Sequence, residues 1–208
     1  MQNTTLFRRM AALLLTVVLA VSTALPGLAV YEMPIQTANE GESVYLFNAD
    51  IDKPILDQNA GQQRYIASLT KMMTALLVIE NGSDLNASIT IPDRLTPEFQ
   101  SIKANRGHTI GLQAGESVRR IDLLYAMLLP SANDAASVLA SDAAGGDLAA
   151  FAARMNARAR QLGCTTTHFS CPHGLYDANN YSTARDLAKI ALACYANPTY
   201  RQVADTVL

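Results

Sequence analysis

The chain has 208 residues, 50% hydrophobic and 16% charged, with a formal net charge of −2. That balance excludes an intrinsically disordered chain, and neither end carries the basic excess a nucleic-acid partner would need. The length suits one domain, or one domain with a fragment of another.

At the N-terminus, Arg8 and Arg9 precede the apolar run "MAALLLTVVLAV". This run is too short to span a bilayer comfortably. "STALPGLAV" follows, with the small residues Gly27 and Ala29 two apart as a signal peptidase requires. Residues 1–29 therefore read as a secretory signal, with cleavage expected after Ala29 and an exported protein of residues 30–208. The alternative is a short anchor left uncut. No cysteine lies near the cleavage region, which argues against lipidation there.

"SVYLFNADIDKPILDQNA" reads as two short strands, near Val44–Phe47 and Ile55–Leu56, joined by an Asp-rich turn. From Ser68 the period changes. Leu69, Met72, Met73, Leu76 and Leu77 fall at helical spacing, and Val78 and Ile79 close most of the remaining face. A helix apolar nearly all round is a buried one. Asn81 and Gly82 suit its C-terminal cap. Residues 83–120 read as irregular, with "ITIP" suited to a strand and "TIGLQAGES" to a loop or hairpin.

Four helices follow. "RIDLLYAMLL" ends at Pro130, and "NDAASVLASDAA" stops at Gly145 and Gly146. "DLAAFAARMNARARQLG" places Leu148, Phe151, Met155 and Leu162 on one face. "STARDLAKIALACYAN" carries Thr183 and Asp186 in the manner of a capping box. "PTYRQVADTVL" opens a further short helix at Pro198.

Cysteine usage leaves two options open. Of Cys164, Cys171 and Cys194, at least one stays unpaired in a monomer. Cys164 and Cys171 flank "TTTHFS" and are either a bridge or buried free thiols. With no Cys-x-x-Cys and only His108, His168 and His173, the residues give little support to a metal site, and no cofactor is expected.

The chemistry concentrates at Ser68 and Lys71. Positions three apart on a helix lie about 60° apart around its axis, so both side chains face one site. A serine hydroxyl needs a base to become a nucleophile. A lysine among apolar neighbours loses part of its preference for the ammonium and becomes such a base. Serine at the helix N-terminus would also meet backbone N–H groups and the positive end of the dipole. Alone, the pair reads more readily as a plain N-cap with a solvated lysine. Downstream, Ser131 and Asn133 sit on a turn between two helices and offer a second proton carrier and a substrate-binding amide.

Four segments, "ASLTKMMTA", "LLPSANDAA", "FAARMNARARQLG" and "PHGLYDANNYSTARDLA", stand in an order and spacing that resemble the D-alanyl-D-alanine carboxypeptidases. These are low-molecular-weight penicillin-binding proteins of the S-x-x-K serine-peptidase group. The resemblance runs from about Ser43 to the C-terminus. It implies an α/β (α+β) fold of β-lactamase/transpeptidase type, with a helical body and an incomplete antiparallel sheet. It implies that Ser68 is acylated, Lys71 is its general base, Ser131 relays a proton to the leaving group and Asn133 binds the substrate backbone. The implied partners are peptidoglycan stem peptides, with β-lactams as covalent inhibitors, at the outer face of the cytoplasmic membrane or beyond it. Membrane association through a segment outside this chain is a further option. Cys171 stands in "CPHGL" where such enzymes often carry asparagine.

One departure is large. The third motif of the group, Lys-Thr/Ser-Gly, has no counterpart, because none of Lys53, Lys71, Lys103 and Lys189 precedes Thr-Gly or Ser-Gly. "GHTIG" is broken by Ile110 and lies before Ser131. The chain is accordingly expected to be an N-terminal portion of the enzyme, and a poor catalyst as written. With two short strands for a sheet, the helix from Ser68 is expected to leave an uncovered apolar patch. Two rival readings remain: a class A β-lactamase and a non-catalytic muropeptide-binding remnant. Against the first stand Ala132, where aspartate is usual, and the lack of any glutamate between Leu162 and Leu208.

Overall fold

The computed structural model describes residues 41–206 apart from Asp52, so the expected leader lies outside the described residues. Strand β1 (Val44–Asn48) pairs antiparallel with β2 (Lys53–Gln58), with a register irregularity between Leu46 and Phe47. Both strands were expected; β2 extends beyond the short apolar run on each side. β3 (Arg64–Tyr65) pairs with the distant β6 (Tyr181–Ser182), and β4 (Ser88–Thr90) with β5 (Ser117–Arg119). The described residues thus form three separate two-stranded antiparallel pairs around a helical body.

Helix α1 (Thr70–Glu80) is the axis of that body. It touches α3 (Arg120–Leu128), α4 (Asn133–Ala143), α5 (Leu148–Gln161), α6 (Ala184–Ala196) and α7 (Pro198–Ala204). Met73, Leu76, Leu124, Met127, Leu139, Phe151 and Met155 are buried together in this core. Burying one such side chain contributes about 1.5–3 kcal/mol. The expectation of an uncovered apolar patch is therefore corrected. Helices supply the cover assigned to a sheet, and Leu69 is the large apolar side chain left exposed at the helix front.

Polar groups inside α1 are satisfied from the 170–180 loop. Thr74 Oγ1 donates to the Pro172 carbonyl at 2.6 Å, and Asn180 Nδ2 donates to Thr70 Oγ1 at 2.9 Å. The helix ends as its sequence indicates, with Asn81 as cap and Gly82 at φ +72°.

The segment read as irregular holds α2 (Thr96–Ala104), with Pro97 in its first turn and Ile102 as its buried residue. Asp147 caps α5 through Ala150 N–H, and Thr183 caps α6 through Asp186 N–H. Cys164, Cys171 and Cys194 are all free thiols, so the bridge considered for Cys164 and Cys171 is absent.

Candidate active site

Ser68 does not begin the helix. It lies in a 3-10 turn, Ala67–Leu69, that leads into α1, and neither Ser68 nor any other side chain caps that helix start. Ala67 takes φ +44°, a region disfavoured for residues with a Cβ. The neighbouring loop holds it there. Gly174, at φ +86°, is packed so closely that a Cβ on it would collide with the Ala67 carbonyl. The Ser68 side chain is left exposed at the mouth of a cleft of about 380 Å³, whose lining includes Ile66, Met72, Met127, Leu128 and Tyr200.

Lys71, in the first turn of α1, is only 2% exposed. Its Nζ donates to Ser68 Oγ at 3.1 Å, to Asn133 Oδ1 at 2.6 Å and to the His173 carbonyl at 2.8 Å. Three ammonium protons thus meet three acceptors, none of them a carboxylate. Burial pushes the amine down to about 8, partly offset by the electrostatic pull of Cys171. At pH 7 about a tenth of such lysines are neutral, against about 0.03% at the ordinary value of 10.5. In the neutral form the two carbonyl oxygens hold the remaining N–H groups. The lone pair is then directed at Ser68. In that state one hydroxyl, that of Ser68, lies within hydrogen-bond reach of the free amine.

Ser131 occupies the turn between α3 and α4 at φ +65°, and its Oγ donates to Ser68 Oγ at 2.9 Å. Asn133 is the first residue of α4 and is 5% exposed. Its carbonyl oxygen is engaged by Lys71. A Cβ on Gly107 would sit 2.6 Å from Asn133 Nδ2, so the absence of a side chain there makes room for the amide. All four residues singled out in the sequence are brought into one connected cluster.

Other contributors were not assigned from the sequence. Asp134 is 2% exposed and accepts the N–H groups of Gly111 and Leu112, each at 3.0 Å. With Asn133 N–H donating to the His108 carbonyl, it ties the 108–112 loop to the start of α4. His173 supplies the carbonyl on Lys71, and its Nε2 lies 3.0 Å from Glu98 Oε1. Only "PHG" within the resemblance pointed to His173. Glu98 lies on α2, the helix its mixed composition concealed.

Comparisons with known proteins identify the family. The family model described as D-alanyl-D-alanine carboxypeptidase matches residues 32–206. The chain belongs to the D-alanyl-D-alanine carboxypeptidase family. Within this carboxypeptidase family, it is 34% identical over 168 residues to the D-alanyl-D-alanine carboxypeptidase of Streptomyces sp. strain K15, covering 78% of this chain and 57% of that protein. It is 32% identical over 164 residues to the D-alanyl-D-alanine endopeptidase of Escherichia coli K12, covering 79% and 50%. The crystal structure of the Streptomyces K15 DD-transpeptidase superposes with a TM-score of 0.71 at 34% identity, covering 78% of this chain and 63% of that one. The fold implied by the sequence is thus the observed one. The chain spans about half the length of the curated relatives it matches.

Proposed function

We propose that the chain carries the acylation half of a serine-type D-alanyl-D-alanine carboxypeptidase site. The observation that carries this reading is the Lys71 amine, buried without a counter-ion and held between Ser68, Asn133 and the His173 carbonyl. In this reading neutral Lys71 takes the Ser68 proton as Oγ attacks the carbonyl between the two D-alanines of a stem peptide. Ser131, bonded to Ser68 Oγ, passes a proton to the departing amine, and free D-alanine leaves. Water then clears the acyl-serine. A β-lactam acylates Ser68 by the same attack. Asn133 orients Lys71 and offers its amide to the substrate backbone.

The cell envelope is the location that family membership supports. Export rests on the pattern of residues 1–29, with cleavage after Ala29 leaving residues 30–208; intact mass of the secreted protein checks it. Among the described residues no helix is long and apolar enough to cross a membrane. The test of function is covalent labelling by a fluorescent penicillin, together with release of D-alanine from a peptide ending in D-Ala-D-Ala. Labelling that persists in Ser68→Ala would overturn the assignment.

A further inference from the structure

A second cleft, of about 430 Å³, is lined by the turn whose His173 carbonyl meets Lys71. Cys171, His173 and Glu98 line it together with Ser101, Asn105 and Leu148. Its size falls within the range of small-molecule sites. The three chemically active groups form a chain. Glu98 Oε1 accepts from Ser137 Oγ at 3.0 Å and lies 3.0 Å from His173 Nε2. Cys171 stands two residues before His173 in the same turn, close enough for thiol and imidazole to act on each other electrostatically. The Cys171 sulfur accepts the Gly174 N–H at 3.3 Å. This is the pattern that activates a thiol: an imidazole oriented by a carboxylate, plus backbone N–H groups on the sulfur.

Burial by itself would raise the Cys171 thiol, but the His173 imidazole and the backbone N–H groups outweigh it and bring the thiol below its ordinary value. His173 goes the other way. Burial opposes its charge, yet Cys171 and Glu98 together push it up to about 9. Both ring nitrogens are engaged, Nε2 by Glu98 and Nδ1 as acceptor of the Leu175 N–H at 3.1 Å, so His173 acts on the sulfur through its charge. Lys71 adds a further positive charge within electrostatic range, and Asp177 is the other acid lining the cleft. The remaining thiols differ in kind. Cys164 and Cys194 are buried, and burial raises them to about 11 and about 12.

We propose that Cys171, with His173 and Glu98, is a covalent modification site that takes small organic disulfides in this cleft. The Cys171 thiolate attacks one sulfur of the reagent, whose S–S bond breaks as the new Cys171–sulfur bond forms. The displaced half leaves as a thiolate, and the proton lost when Cys171 ionises goes to solvent. The disulfide reagent is itself the oxidising partner, so no other is required.

The test treats the folded chain with 5,5′-dithiobis(2-nitrobenzoate), follows the released chromophore, and maps the adduct by mass after digestion. One equivalent should react at Cys171, about tenfold faster at pH 7 than an unstructured cysteine peptide. Cys171→Ser should abolish that fast phase, and Glu98→Gln should slow it at least threefold. The pH dependence of the rate in the unaltered protein needs no variant: it should level off below pH 8.5. First modification at Cys164 or Cys194, a rate no greater than the peptide's, or a rate still rising beyond pH 8.5 would each overturn the proposal.

Discussion

The Lys71 Nζ–Asn133 Oδ1 hydrogen bond, 2.6 Å long and buried, joins the lysine of the site to a residue 62 positions away. A neutral amide in that place accepts a hydrogen bond from lysine without holding the amine in its charged form. A carboxylate would do the opposite. Asn133→Asp should therefore raise the Lys71 pKa and lower acylation at pH 7 by tenfold or more, with the rate recovering at higher pH. Penicillin labelling across a pH series reads both effects, and an unmoved profile would count against Lys71 as the base.

For the unaltered chain, the acylation rate should rise about tenfold per pH unit at low pH and level off above about 8, where burial has placed the Lys71 amine. The sign follows from the neutral amine being the active form. Stability should respond in the same direction. Lys71 in the folded protein sits below its unfolded value of 10.5, so between about 8 and 10.5 the unfolded chain binds more protons and this residue's contribution favours folding as pH rises. Urea unfolding at several pH values, compared with Lys71→Met, isolates that contribution.

Ser68→Ala should abolish covalent labelling. Lys71→Ala should reduce acylation about a thousandfold while the nucleophile stays in place. Comparison of melting temperatures separates lost chemistry from lost folding. Near wild-type labelling of Lys71→Ala would require another base.

Gly174→Ala should be among the most damaging single-atom changes in the chain. It puts a side chain at φ +86° and against the Ala67 carbonyl, so the turn that presents Ser68 must shift. A loss of about 2–4 kcal/mol is expected. Chemical denaturation measures it, and a neutral result would mean that the 67–68 turn tolerates displacement.

Asp134→Ala removes the acceptor of several backbone N–H groups from the 108–112 loop. Leaving such donors unpaired costs about 1–3 kcal/mol each where water cannot replace the carboxylate. Hydrogen exchange at Gly111 and Leu112 should accelerate markedly, and Asp134→Asn should restore part of the protection.

Particular elements explain what was legible in advance. The helix from Thr70 to Glu80, its Asn81–Gly82 end and the Thr183 cap depend on neighbours within four residues, so periodicity and cap chemistry revealed them. The Asp186 carboxylate, by contrast, turns to Thr166, Thr167 and Lys189 rather than completing a capping box. Helix α2 escaped because Ile102 is its buried residue, and one apolar position gives no period to detect. The bridge considered for Cys164 and Cys171 depended on spacing, which says nothing of where the two sulfurs point.

By itself the sequence determined that Ser68 and Lys71 face one site: the 3-10 turn holding Ser68 runs directly into α1, so a spacing of three still brings both side chains to one face. It also determined the order of the motifs and the apolar character of α1. Only the tertiary structure decided that Lys71 meets Asn133 and the His173 carbonyl, 62 and 102 positions away. It likewise decided that helices rather than a sheet cover α1. Both outcomes rest on long-range packing: a lysine becomes a base only when distant segments exclude water from it while supplying uncharged acceptors for its protons.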